Sequence, residues 1–107
     1  MTNKEIDKME AGRKMDMLVA EKVMGWKRHG TDIAASNPFP YSTSISAAWE
    51  VVEKMEKDGF NFFIESCKPA YDWWAQFAPR NKDTEFHSEA PTASLAICRA
   101  ALKTVML

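Results

Sequence analysis

The spacing of apolar residues changes period twice along the chain. In GRKMDMLVAEKVMGW (12–26), Met15, Leu18, Val19 and Val23 recur every three or four positions, while Lys14, Asp16, Glu21 and Lys22 fall elsewhere. This pattern predicts an amphipathic helix ending near Met24, with Gly25 as its C-terminal cap. The same period returns in ISAAWEVVEKMEKDG (45–59), where Ile45, Ala48, Trp49, Val52 and Met55 form a core-facing stripe and Glu50, Glu53, Lys54 and Lys57 face water. Asp58 and Gly59 stop that helix. The period then drops to two. FNFFIES (60–66) and YDWWAQF (71–77) read as aromatic-rich strands joined through SCKPA, in which Lys68-Pro69 suits a turn. TEFHSEA (84–90) is a third, weaker strand after the polar turn PRNKD. PTASLAICRAALKTVML (91–107) is helical again, with Leu95, Cys98, Leu102 and Val105 on one side, Ala101 beside them, and Thr92 or Ser94 as N-cap.

Two stretches are less regular. The residues before Gly12 carry Ile6 and Met9 and predict at most an extra turn on a loose N-terminal segment, 1–11. From 25 to 41 runs a long loop with two glycines and two prolines, of a length that in a small domain usually serves a function or is disordered. The strands also say something about layering. Phe60, Phe62 and Ile64 share one face, but Phe63 falls on the other, and the adjacent Trp73 and Trp74 must point to opposite faces. A sheet covered on one side should alternate cleanly. The expectation is therefore an α+β fold of order ααβββα, an α/β/α sandwich in which a three-stranded antiparallel meander carries helices on both faces.

Composition narrows the function classes. The 107 residues fit one domain, 46% of them are hydrophobic, and 14 Lys+Arg against 15 Asp+Glu give a net charge of -1. That balance lacks the broad positive field expected of a partner for a nucleic-acid polymer or an anionic membrane. No apolar run reaches the roughly 20 residues of a membrane span, and MTNKEIDKME is too polar for a signal peptide, so the expected location is the cytoplasm. Cys67 and Cys98 form no C-x-x-C pair and have only His29 and His87 to help them, which predicts reduced cysteines and no metal site.

GRKMDMLVAEKVMGW, PYSTSISAAWEVVEKM, the FNFFIE and WWAQF strands and APTASLAICRAALKTV together resemble the phage ABA sandwich domain family, small proteins encoded by bacteriophages and prophages. The resemblance runs from about Gly12 to Val105. It implies the two-faced sheet inferred above and, for most members, no known activity. It also implies a phage product working in the cytoplasm of the infected bacterium.

Catalysis lacks its parts. No Ser-His-Asp or Cys-His set is suggestively spaced, the four glycines do not cluster into a phosphate loop, and Glu50 and Glu53 lie on a solvated helix face. No catalytic residue and no cofactor are expected. Binding chemistry is better represented. In NPFPYSTSISAAW (37–49), one of Ser42, Thr43 and Ser44 suffices as N-cap, and Tyr41 packs as a staple. The surplus hydroxyls at a helix start form a seat for a phosphate or carboxylate. Trp26 and Trp74 offer rings for stacking, Arg99 offers a guanidinium on the last helix, and Lys27 and Arg28 add charge. Trp26, Tyr41, Ser42, Thr43, Trp74 and Arg99 are thus the expected ligand-binding residues. Phages use small proteins with such parts to sequester nucleotide immune signals, and the expectation is a homo-oligomer holding a small nucleotide-like ligand. The competing expectation is a protein that binds and inhibits a host defence effector or transcription component through its aromatic surface and the Met-bearing helices.

Overall fold

The computed structural model describes residues 1–26 and 39–106, apart from the side chains of Cys67 and Tyr71. Helix α1 spans Asn3–Lys8, helix α2 Arg13–Leu18 and helix α3 Ile45–Lys57. Strands β1 (Phe60–Cys67), β2 (Tyr71–Pro79) and β3 (Phe86–Ala90) follow, then helix α4 (Ala93–Met106). The α+β class, the element order and the antiparallel meander β1-β2-β3 agree with the sequence.

The N-terminal segment is tied down rather than loose. A capping box between Thr2 and Glu5 starts α1, and Ile6 is fully buried. After α2 the chain widens into a π-helical turn, Val19–Val23, in which the Met24 N–H reaches the Val19 carbonyl at 3.0 Å. Gly25 then takes φ 78°, so that the Trp26 N–H closes on the Ala20 carbonyl at 2.8 Å. On α3 the N-cap is Ser44, whose hydroxyl accepts from the Ala47 N–H. On α4 Thr92 plays that part, its hydroxyl accepting from the Leu95 N–H.

Helix α4 is the centre of the molecule. Ser94 through Lys103 are all buried, so the helix is enclosed all round, and Val105, expected on its apolar side, lies beyond this stretch and is exposed. The stripe of α3 is also shifted. Ala47, Ala48, Val51, Val52 and Met55 are buried, whereas Ile45 and Trp49 are 55% and 47% exposed. They sit on the margin of the helix, where Trp49 leans edge-on against Phe62 at 5.8 Å.

Strand register shows which residues share the face that carries the core. Register pairs Phe62 with Phe77, Ile64 with Ala75, Trp73 with Ala90 and Ala75 with Ser88, which puts all of these on one face. Ala75, Phe77, Ser88 and Ala90 are buried there, with Phe60, Phe62, Ile64 and Trp73 packed against the same core. The other face carries Asn61, Phe63, Glu65, Trp74, Gln76, His87 and Glu89, none of them buried, and Phe63 is 50% exposed. Trp74 stacks there on the cross-strand neighbour His87, with ring centroids 4.2 Å apart and planes at 15°.

Candidate functional site

The expected site residues fall into two groups. The first gathers around the turn before α3. Trp26, Phe39 and Tyr41 meet edge to face, at 5.2 Å for Trp26–Phe39, 6.4 Å for Trp26–Tyr41 and 6.0 Å for Phe39–Tyr41. Tyr41 is buried and Trp26 half-buried, while Phe39 is 50% exposed at the end of the described stretch. Burial pushes the Tyr41 phenol up to about 12, and nearby Glu50, Cys98 and Asp16 add to the shift. Thr43 is exposed, and the N–H groups of Thr43 and Ser44 both turn back to the Pro40 carbonyl. Lys27, Arg28 and His29 lie outside the described residues.

Ser42 is fully buried, and its polar capacity is already used. Its N–H and hydroxyl both donate to Asp16 Oδ1, at 2.8 and 2.6 Å, and the hydroxyl oxygen accepts from the Gly12 N–H at 2.9 Å. The seat that the sequence predicts for a carboxylate thus holds one supplied by α2. Asp16 was expected among the polar positions of its helix. Its spacing of three, four and seven from Val19, Ala20 and Val23 is the signal that places it on the buried side.

The second group lies where β2, β3 and α4 meet. The Arg99 guanidinium donates to the Met9 carbonyl through Nε (3.0 Å) and Nη2 (2.8 Å), and to the Glu89 carbonyl through Nη1 (2.8 Å). Burial lowers its pKa, against the opposing pull of Asp7 and Glu10. Among the described residues its hydrogen bonds go to neutral carbonyls alone. Arg99 lines an open cleft of about 390 Å³ with Pro69, Asp72, Glu89 and Pro91. Trp74 is the direct cross-strand partner of Glu89 and lies on the same strand face as Asp72. Through Met9 and Gly12 the two groups converge on one connector, since Arg99 holds the first of these residues and Ser42 the second.

Beside the cleft is a polar cluster that the sequence did not announce. Lys103, buried on α4, places its Nζ 2.7 Å from Asp7 Oδ1 and 2.7 Å from the His87 carbonyl, and the Ser88 hydroxyl donates to the same Asp7 oxygen at 2.7 Å. Burial raises the Asp7 pKa, but the bonds from Lys103 and Ser88 and the charges of Lys103 and Arg99 outweigh it, for a net lowering. His87 Nδ1 is buried without a hydrogen-bond partner among the described residues, and the Glu85 carboxylate stands 3.9 Å from it. Cys98 is buried in the core, and its thiol is pushed far up by burial, then by Asp16. Among the described residues no group of three or more His, Cys, Asp or Glu is placed to hold a metal ion. No helix of the described residues is long and apolar enough to cross a membrane.

The chain matches the model of the phage ABA sandwich domain family over residues 17–102. The fold is similar to the crystal structure of a phage protein from Bacillus cereus ATCC 14579, with a TM-score of 0.73 and 23% identity over 92% of this chain and 95% of that one. No curated protein matches the chain.

Proposed function

Because the chain belongs to the phage ABA sandwich domain family, we propose that it is a phage-encoded binding protein that sequesters a nucleotide-derived immune signal in the cytoplasm of the infected bacterium, without catalysis. The observation that carries the ligand reading is the buried Arg99, which lines an open cleft and, among the described residues, is bonded only to carbonyls. A guanidinium so placed keeps its positive charge with no carboxylate bonded to it among the described residues, a setting that favours a phosphate at the cleft mouth. Asp72 and Glu89 on the same rim are suited to accept from sugar hydroxyls or base amino groups. Trp74, stacked on His87 on the adjoining strand face, supplies a ring against which a base can lie. In this reading Ser42 and Tyr41 hold the framework, Trp26 and Phe39 pack with Tyr41 as a separate aromatic wall, and Thr43 is exposed beside it.

Native mass spectrometry of the protein purified from infected cells, and thermal shift with cyclic nucleotides and ADP-ribose derivatives, test the proposal. A bound small molecule or a ligand-dependent rise in Tm is expected. No adduct and no shift with any of these compounds overturns it.

A second reading, binding and inhibition of a host protein, draws on the apolar surface left by Ile45, Trp49 and Phe63, each about half exposed. A stoichiometric protein partner recovered from host lysate, with no small molecule attached, selects this reading over the first.

A further inference from the structure

The two edges of the three-stranded sheet are finished differently. β3 is five residues long, and two of its carbonyls are occupied from the side: His87 O accepts from Lys103 and Glu89 O from Arg99. Cations reaching an edge in this way block it against a further strand. β1 is eight residues long and forms the opposite edge. Among the described residues no side chain of α4 or any other helix caps its backbone as Lys103 and Arg99 cap that of β3. Apolar groups flank this edge on both faces. On the helical face Phe62 and Ile64 are half-buried and Trp49 overhangs Phe62; on the open face Phe63 is half exposed.

We propose that the β1 edge is an interface with a second copy of this chain, the two β1 strands pairing antiparallel about a two-fold axis at Phe63 to give a continuous six-stranded sheet. The occupant must be an extended strand, because an open edge offers alternating N–H donors and carbonyl acceptors. That it is the same strand follows from self-complementarity. Antiparallel pairing centred on Phe63 sets Phe63 against its copy, Phe62 against Ile64, and Asn61 against Glu65. Glu65 is the one charged residue of the strand, and in this register it meets a neutral amide and never another carboxylate. Asn61 Oδ1 already accepts from Arg80 Nε at 3.0 Å, which fixes the amide at that end of the strand. The irregularity between Glu65 and Cys67 limits the regular edge to the segment that this register uses. The two-fold leaves the helices of both copies on one face, where the exposed Trp49 of each extends over the Phe62–Ile64 contact.

This inference is independent of the ligand reading and is tested by mass in solution. Sedimentation equilibrium of the wild type is expected to show the mass rising with concentration from 12.2 kDa toward twice that value. Phe63→Lys and Phe63→Glu each set like charges against each other across the axis and are expected to remain monomeric with an unchanged circular dichroism spectrum. An equimolar mixture of the two variants is expected to recover the dimer, because position 63 faces itself. A wild type that stays monomeric, including one that pairs only with a strand of another protein, overturns the proposal. So does a dimer that survives either single variant, or a mixture that fails to associate.

Discussion

Ser42 and Asp16, 26 positions apart, are joined by two hydrogen bonds to one carboxylate oxygen, from the backbone N–H at 2.8 Å and from the hydroxyl at 2.6 Å. Both residues are buried, and the same hydroxyl receives the Gly12 N–H. This knot fastens the start of α2 to the turn that launches α3. Ser42→Ala strips the carboxylate of one donor and leaves the Gly12 N–H without its acceptor, so a loss of about 2–4 kcal/mol in urea unfolding is expected. Asp16→Ala is expected to cost less in the Ser42→Ala background than in the wild type. Equal costs in the two backgrounds show that the pair does not act as a unit.

Acid is expected to release α1 before the rest of the fold. Asp7 has a folded pKa below its ordinary value of 3.8, because its bonds to Lys103 and Ser88 favour the charged form. A depressed carboxylate stabilises the fold fully above the ordinary value, and that contribution is lost as pH falls through the folded pKa. An NMR pH titration should therefore show the Ile6 and α1 signals moving below pH 3.8 ahead of those of α4. Asp7→Asn is expected to remove the acid dependence and to loosen α1 at neutral pH. Signals of α1 and α4 that move together refute the clamp.

The alkaline limb belongs to Tyr41. Its pKa is raised from 10.0 to about 12, so the phenol's burial favours the fold below the unfolded value and is lost as pH rises through the folded one. Stability is expected to start falling above pH 10, and Tyr41→Phe to flatten that fall. An absorbance titration in which Tyr41 ionises at the ordinary phenol value contradicts this.

Trp74 separates ligand binding from folding. It lies on the open face of the sheet, outside the core. Trp74→Ala is thus expected to change stability by about 1 kcal/mol or less, and to weaken a stacked nucleotide by about 1–3 kcal/mol in calorimetric titration. Phe77→Ala, on the buried face, is the control, with an expected loss of about 3–5 kcal/mol in stability. A Trp74 variant that binds candidate ligands like the wild type removes the ring from the site.

The elements of this fold were legible because they rest on local periodicity. The 3.6 spacing of Ala48, Val52 and Met55 matches buried positions in the structure, and the alternation of Phe60, Phe62 and Ile64 matches half-buried positions packed against the same core. The stacking partner of Trp74 was not legible, because His87 is a neighbour that only the register reveals. Ile45 and Trp49 were assigned to the core because a helical stripe has a direction but no sharp edge, and the true stripe is centred one residue away on Ala47 and Val51. The polarity of Tyr41, Ser42 and Thr43 could be read only locally, whereas the partner that Ser42 uses is Asp16, a long-range contact with no signature in the local sequence.

Among the described residues, helix α4 touches α1, the π-helical turn, α3 and the sheet, and so joins parts that lie far apart along the chain. It is also made after all of them. A nascent chain that has emerged from the ribosome only as far as β3 therefore holds helices and strands whose apolar faces lack their common partner. Translation order turns the enclosed segment Ser94–Lys103 into the closing step of assembly, so that stalling within it leaves a chain open to chaperones and proteases.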